Sequence, residues 1–172
     1  MLFVLAYPEL APEAASAIEA LRRRHEPDRA ALVAVHVTLV FGVAGIQVDA
    51  LVAHAAAIAA TERPFPFTLD STEPFIGAGE AKLFLRVGQG DDSFRRLHAG
   101  LYTGILAPHL RSDLPFEPHM TIATVRQPVT LDSAQTDAGR LDLPLAGRVR
   151  ALTVAALDGP VLRDLEQLSL AG

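Results

Sequence analysis

Two spacings of hydrophobic residues recur along the chain, one typical of β-strands and the other typical of amphipathic α-helices. Short apolar runs rich in β-branched residues predict strands, whereas apolar residues three or four positions apart predict helices. In chain order these segments give the series β α β α β β α β α β β. The predicted strands are Leu2–Tyr7, Ala31–Val43, Phe65–Leu69, Ala81–Val87, His119–Val125, Arg148–Leu157 and Arg163–Leu170. The predicted helices begin near Pro12, Ala50, Asp91 and Thr130.

The helical stripes predict which residues face the core. The positions expected to be buried are Ala14, Ala17, Ile18, Leu21, Leu51, Ala55, Ile58, Phe94, Leu97, Leu101 and Ile105. The first helix ends in the basic run Arg22–Arg24, which is typical of a solvated C-terminus that complements the helix dipole. This interpretation is favoured over a phosphate-binding patch. His54 and His98 flank the stripes of the second and third helices, so we expect structural roles for both.

Composition narrows the range of partners. The chain has 172 residues, half of them hydrophobic, which predicts one domain over residues 1–172 with a sizeable core. Its formal net charge of −5 argues against an extended nucleic-acid-binding surface, because affinity for long backbones needs many Lys and Arg contacts. A small phosphate ester or a single RNA end needs only a local positive spot and fits this charge.

Compartment is indicated by what the sequence lacks. There is no cysteine, which excludes disulfides and thiolate metal sites and is compatible with the cytoplasm. The N-terminal apolar run has no basic leader and is interrupted at Tyr7–Glu9, so no signal peptide is predicted. The stretch Ala30–Ile46 contains His36 and Thr38 and is rich in β-branched residues, which favours a buried strand over a membrane span. We therefore expect a cytoplasmic monomer without membrane association.

The tripeptide His-x-Thr occurs twice, each time inside a strand-like run. One run contains His36 and Thr38, and the other contains His119 and Thr121. Side chains two residues apart leave a strand on the same face, so each run presents an imidazole beside a hydroxyl. The opposite face of the first run is predicted to join the core and consists of Val33, Val35, Val37, Leu39 and Phe41.

The repetition of the motif is more informative than either copy. None of the other four histidines has a threonine two residues later. A single copy would be interpreted as a hydrogen-bonded strand histidine beside an ordinary threonine. Two copies on apolar strands favour a functional site, because such strands rarely keep polar pairs without a purpose.

The paired segments His36–Leu39 and His119–Ile122 resemble the two signature motifs of the two-histidine (2H) phosphoesterase superfamily. The most similar subgroup is that of the bacterial 2′-5′ RNA ligase-like proteins, also called RNA 2′,3′-cyclic phosphodiesterases. Other segments fit the layout of that family, namely Leu2–Ala6, Phe41-Gly42, Phe116-x-Pro118-His119 and the strand pair around Leu152–Leu157 and Leu165–Leu170. The resemblance implies an α+β fold with two lobes, in which antiparallel sheets face a central cleft and helices lie outside. Each half of the chain offers a strand–helix unit and one motif strand, which agrees with a pseudo-two-fold duplication.

The resemblance also implies an activity. It predicts metal-independent opening of 2′,3′-cyclic phosphates of RNA ends or nucleotides to 2′-phosphates, and in some members the joining of RNA ends through 2′-5′ bonds. His36 and His119 would be catalytic, and Thr38 and Thr121 would bind phosphate. Two alternatives stay open. One is a non-catalytic protein that binds nucleotides or RNA ends in the same cleft, and the other is a divalent-metal site made by both histidines and a carboxylate.

These residue types suit the implied reaction. A neutral imidazole takes a proton from water and a protonated one gives a proton to the departing ribose oxygen, roles that need a pKa near neutrality. Threonine hydroxyls can donate to non-bridging phosphate oxygens as charge builds. No metal and no cofactor are predicted, because the chain has no His-Glu-x-x-His motif and no aspartate pair near either motif. The two motifs are nearly equivalent, which leaves the acid and the base unassigned.

Three further residues are candidates for substrate binding. Lys82 and Phe84 share one face of a predicted strand and could hold a phosphate and stack a base, although an ordinary solvent face fits equally well. Arg126 follows the second motif, and in the related family a basic residue often lies just past this motif. Strict alternation places Arg126 on the face opposite His119, so a bulge or a strand end is required.

Overall fold

The computed structural model describes residues 1–77, 79–126 and 131–171. The helices and strands in these ranges are β1 (Leu2–Ala6), β2 (Glu9–Leu10), α1 (Pro12–His25), α2 (Pro27–Leu32), β3 (Val37–Val43), α3 (Val48–Ala59), β4 (Phe65–Ile76), β5 (Ala81–Val87), α4 (Asp91–Leu101), a 3-10 helix (Gly104–His109), β6 (His119–Val125), α5 (Leu131–Ala138), β7 (Leu145–Val149), β8 (Ala151–Asp158) and β9 (Val161–Ser169). The glycine-rich segment 77–79 between two predicted strands also predicts a turn, but Ala78 lies outside the described residues, as does the predicted helix start at Thr130.

The described strands form two antiparallel sheets. One sheet has the order β3-β1-β8-β9 and the other the order β2-β7-β4-β5-β6. Helix α3 packs on β8 and β9, α4 packs on β3, and α1 and α5 pack on strands of the five-stranded sheet. The predicted α+β fold with antiparallel sheets is therefore confirmed.

Both motif strands lie at the edge of a sheet. β3 is the outermost strand of the first sheet and β6 is the outermost strand of the second. In each half, a strand pairs with the motif strand that follows it, β1 with β3 and β5 with β6. Each of two helices packs on the motif strand of the other half: α1 of the first half packs on β6, and α4 of the second half packs on β3. Each motif strand is thus held by a helix from the other half.

The first motif strand begins later than predicted. Residues Pro27–Leu32 form α2, and β3 starts only at Val37, so the expected strand Ala31–Val43 is wrong over its first six residues. Pro27 occupies the first turn of α2, where its missing N–H is harmless and its fixed φ suits a helix. The alanines and leucine that follow are good helix formers, and they outweigh the β-branched residues beyond them.

Other boundaries also differ from the prediction. Strand β4 continues to Ile76, beyond the expected end at Leu69. The single strand expected over Arg148–Leu157 is divided between β7 and β8, which lie in different sheets. The chain changes sheets at this point, which hydrophobic spacing alone does not signal. Helix α4 ends at Leu101, so Ile105 lies in the 3-10 helix and is exposed instead of buried.

The core is formed by the apolar faces of both sheets and of the helices. The predicted stripe residues Ile18, Leu21, Leu51, Ala55, Phe94, Leu97 and Leu101 are buried. Ala14 and Ile58 are only partly buried, and Ala17 is exposed, so the prediction is wrong for Ala17. Phe94 packs edge-on against the rings of Phe65 and Phe67, at centroid distances of 5.1 and 5.5 Å. None of the helices in the described ranges combines the length and the apolar character needed to cross a membrane.

Candidate active site

The four motif residues line one cleft. His36 directly precedes β3 and His119 is the first residue of β6, while Thr38 and Thr121 lie two residues further along. All four side chains border a cavity of about 290 Å³. The structure thus brings together residues that are far apart in sequence, each from the edge strand of a different sheet.

The two imidazoles are held in the same way. Nδ1 of His36 lies 2.8 Å from the carbonyl oxygen of Ala34, and Nδ1 of His119 lies 2.7 Å from that of Glu117. A carbonyl only accepts, so Nδ1–H must donate in both rings. In the neutral ring Nε2 then carries the lone pair, and in the charged ring it carries a proton. Both rings are therefore fixed in the tautomer that suits proton transfer at Nε2.

A β-bulge follows each motif threonine. Leu5 pairs with Thr38 and Val4 with Val40, so β3 has one extra residue at this point. In the second motif, Phe84 pairs with Thr121 and Leu83 with Ala123, which leaves an extra residue in β6. Two consecutive residues are buried at each bulge, Leu39 and Val40 in β3 and Ile122 and Ala123 in β6. Beyond each bulge, the alternation between side chains that point to the core and side chains that point away from it is shifted by one residue.

The first bulge explains why Phe41 is not in the core. Strict alternation predicts burial, but the extra residue turns Phe41 to the cleft side, where it is 48% exposed and lines the cavity.

Two side chains form hydrogen bonds to this bulge, that of His98 in α4 and that of Tyr102 directly after α4. Nδ1–H of His98 donates to the carbonyl oxygen of Leu39 at 2.9 Å, and the N–H of Phe41 donates to the hydroxyl of Tyr102 at 3.2 Å. His98 also stacks on Phe116 with ring centroids 3.9 Å apart, so its contacts agree with the predicted structural role.

The pKa of each catalytic candidate is lowered, chiefly by burial. For His36 the backbone hydrogen bond opposes this effect, the positive charges of Arg22 and His119 lower the pKa further, and Asp164 raises it. For His119 the cations Arg86 and Lys82 add to the lowering by burial. Both imidazoles are therefore mainly neutral at pH 7 in the free protein, which is the form required of a general base.

The two substrate-binding candidates on β5, Lys82 and Phe84, line the same cleft. Lys82 lines it, with Nζ 2.7 Å from Oε1 of Glu80. The ring of Phe84 also lines it and lies 3.9 Å from the ring of His119, and Phe75 stacks on Phe84 at 5.6 Å. Since Phe84 already contacts two rings, it supports the His119 imidazole, and the exposed ring in the cleft is that of Phe41.

Arg126 is the predicted site residue that the structure does not bring to the cleft. The required bulge is present, yet Arg126 lies beyond the end of β6 and is exposed, and it is not among the residues that line the cavity.

A different arginine, Arg22, lies in the cleft, and the sequence analysis did not predict it as a site residue. Arg22 is 2% exposed and lines the cleft, so the interpretation of this residue as a solvated helix end is wrong. Its signal was its position four residues after Ile18, on the buried stripe.

Glu26 and Arg29 are two further cleft residues that the sequence did not indicate. They lie between the first predicted helix and the predicted strand Ala31–Val43, Glu26 directly before α2 and Arg29 within it. Over residues 1–77, 79–126 and 131–171, no group of three or more His, Asp or Glu side chains is arranged to hold a metal ion.

The comparisons with known proteins agree on one family. The sequence model of the 2′-5′ RNA ligase superfamily matches residues 8–160. No curated protein sequence matches the chain. Similar solved structures include TT0787 of Thermus thermophilus, which is 25% identical with a TM-score of 0.64 over 98% of each chain. E. coli LigT complexed with 3′-AMP is 21% identical, with a TM-score of 0.61 over 99% of this chain and 98% of LigT.

A more distant structure has the same fold. Usb1 of Kluyveromyces marxianus is 12% identical, with a TM-score of 0.57 over 95% of this chain and 96% of Usb1. The family model covers most of the chain and both histidine motifs. The chain belongs to the 2′-5′ RNA ligase superfamily, a family of 2H phosphoesterases and RNA ligase-like enzymes.

Proposed function

We propose that the protein is a metal-independent cyclic phosphodiesterase that opens 2′,3′-cyclic phosphates of RNA ends or nucleotides to 2′-phosphates. One observation carries this proposal. Two imidazoles with Nδ1 held by a backbone carbonyl and two threonine hydroxyls border the same cleft. A phosphate in the cleft would have a proton acceptor, a proton donor and two hydrogen-bond donors within one small site.

The reaction needs one proton acceptor and one proton donor. The neutral imidazole removes a proton from water at Nε2, and the water oxygen attacks phosphorus. The bond from phosphorus to the ribose 3′-oxygen breaks, and the second imidazole, protonated at Nε2, gives its proton to that oxygen. The products are a 2′-phosphate and a free 3′-hydroxyl. The hydroxyls of Thr38 and Thr121 donate to non-bridging oxygens as negative charge builds on phosphorus.

The same groups would serve ligation. If the 5′-hydroxyl of a second RNA replaces water, the same displacement of the 3′-oxygen gives a 2′-5′ phosphodiester. The name of the superfamily supports testing this reaction on the chain. The crystal structures of E. coli LigT with 3′-AMP, ATP and NADP+ support nucleotides as ligands of the cleft.

The test is hydrolysis of nucleoside 2′,3′-cyclic phosphates and of a cyclic-phosphate-ended RNA in EDTA. The wild type is expected to form 2′-phosphates, and His36→Ala and His119→Ala are expected to lose about 10²–10⁴-fold in kcat. His109→Ala, outside the cleft, is the matched control. Micromolar binding without turnover would favour the non-catalytic alternative, and loss of wild-type activity in EDTA would favour a metal site.

A further inference from the structure

The buried arginine of α1 has an unusual set of contacts. Nε of Arg22 donates to Oε1 of Glu26 at 2.7 Å, and Nη2 donates to the carbonyl oxygen of Arg29 at 3.4 Å. Nη1 is buried and has no hydrogen-bond partner among the described residues; its nearest carboxylate oxygen, Oε2 of Glu19, is 3.6 Å away. One edge of the guanidinium is fixed, while a donor on the other edge is unsatisfied.

An unsatisfied buried donor on a charged group is costly. A donor that loses water on burial and gains no other partner lowers stability, and it does so more strongly when the group is charged. Arg22 lines the cleft together with His36 and Thr38, and its positive charge contributes to the lowered pKa of His36. The guanidinium is therefore close to the first motif, where an anion in the cleft would satisfy Nη1.

Two other cationic side chains that line the cleft, Lys82 and Arg29, already have a carboxylate partner. Lys82 and Arg29 both pair with Glu80, at 2.7 and 3.4 Å. Glu26, the partner of Arg22, uses its second oxygen as well, because Oε2 accepts from the hydroxyl of Thr124 on β6 at 2.9 Å. Glu26 is 4% exposed. It thus joins α1 to the second motif strand and fixes the orientation of Arg22.

We propose that Arg22 binds a non-bridging oxygen of the substrate phosphate through Nη1, and that Glu26 is the positioning residue that orients it. This inference rests on the proposed function for the identity of the substrate. The guanidinium would stay in place during the reaction and stabilise the charge that builds on phosphorus. A charge-assisted hydrogen bond of this kind is about twice as strong as a neutral one.

The first experiment measures binding of inorganic phosphate to the full chain by calorimetry, which needs no turnover. Arg22→Met is expected to weaken phosphate binding by about 10–100-fold, the effect of losing one hydrogen bond to a charged group. Arg23→Met, the exposed neighbour on the same helix, is the matched control and is expected to bind as the wild type does. Wild-type affinity in a folded Arg22→Met protein would overturn the proposal.

A second variant covers the case in which Arg22→Met does not fold. Arg22→Lys keeps the charge but cannot contact Glu26 and the phosphate together, because an ammonium lacks the planar fork. We expect at least a tenfold loss of phosphate affinity, and wild-type affinity would contradict the proposal. Glu26→Gln is expected to weaken phosphate binding in a folded protein, whereas a merely structural Glu26 would lower Tm and leave the affinity unchanged.

Kinetics with the two diastereomers of a nucleoside 2′,3′-cyclic phosphorothioate give an independent reading. A contact to one non-bridging oxygen is expected to change the ratio of the two rates in Arg22→Met, since only one diastereomer places sulfur beside Nη1. Equal losses for both diastereomers would overturn the contact. If the wild type shows Arg22-dependent phosphate binding but no turnover, the proposed function fails and the Arg22 site stands. Turnover that is unaffected in Arg22→Met would overturn the Arg22 site and leave the proposed function standing.

Discussion

The surroundings of each motif histidine decide when it carries a proton. Burial is the main cause that lowers the pKa of both rings below the ordinary 6.5. A lowered pKa means that the protonated form is lost at a lower pH than usual. Since the reaction needs one imidazole neutral and the other protonated, the pH dependence follows from these two groups.

We expect kcat/KM for a nucleoside 2′,3′-cyclic phosphate to be highest below pH 6.5 and to fall above it, as the general acid loses its proton. Initial rates between about pH 4.5 and pH 8 measure this profile, which reports the pKa values of the free enzyme. A profile that still rises above pH 7 would contradict the prediction.

Two substitutions show which histidine is responsible for the acidic side of the pH–rate profile and which for the alkaline side. Asp164 raises the pKa of His36, so Asp164→Asn is expected to move the His36 limb to lower pH. Lys82 lowers the pKa of His119, so Lys82→Met is expected to move the His119 limb to higher pH. The residue whose limb is on the alkaline side is the general acid. Shifts in the reverse directions would contradict the charge assignments.

The exposed aromatic ring in the cleft suggests where a base binds. Phe41→Ala is expected to raise KM for nucleoside 2′,3′-cyclic phosphates about tenfold, because stacking of a base on an aromatic ring contributes about 1–3 kcal/mol. Leu110→Ala removes an apolar side chain of the same 48% exposure that does not line the cleft, and it is the control. Steady-state kinetics with adenosine 2′,3′-cyclic phosphate measure the effect. An unchanged KM in Phe41→Ala would place the base elsewhere.

At the scale of elements, the bulges and their supports shape the site. Tyr102 accepts a hydrogen bond from the N–H of Phe41, a donor displaced from the regular strand pattern by the bulge. Tyr102→Phe is expected to lower the free energy of unfolding by about 1–3 kcal/mol, because this donor loses its partner. Urea denaturation measures the change, and the midpoint is expected to fall without a change in m. An unchanged midpoint would mean that water replaces the hydroxyl.

Local spacing predicted the motif strands and most helix stripes, whereas the meeting of the two histidines in one cleft was implied by the resemblance of the paired motifs to a known family. The prediction failed where a local pattern is overridden. Phe41 looked buried because alternation assumes no bulge, although Leu39 and Val40 are consecutive apolar residues and so are Ile122 and Ala123. Arg22 looked solvated because its burial depends on Glu26 and on packing against a strand about a hundred residues away. Its position four residues after Ile18 was a local signal, but the contacts that bury its charged side chain are long-range and leave none.

At the scale of the molecule, the helices connect the halves. Since α1 packs on β6 and α4 packs on β3, neither half keeps its motif strand covered without the other. We therefore expect one cooperative unfolding transition, in agreement with a single domain over residues 1–172. Scanning calorimetry tests this, and equal calorimetric and van't Hoff enthalpies are the expected result. Two resolved transitions would contradict it.

The edge positions of β3 and β6 have a consequence for how the enzyme tolerates change. The two strands belong to different sheets, and within the part of the chain that the structure describes no ladder of backbone hydrogen bonds joins them. The distance between the two motif histidines therefore depends on side-chain packing, both where β3 contacts β6 and under α1 and α4. Mutations deep in the core, such as Ile18→Val under β6, would therefore change the distance between the two imidazoles, and with it the rate of the proposed reaction, without touching a residue that lines the cleft.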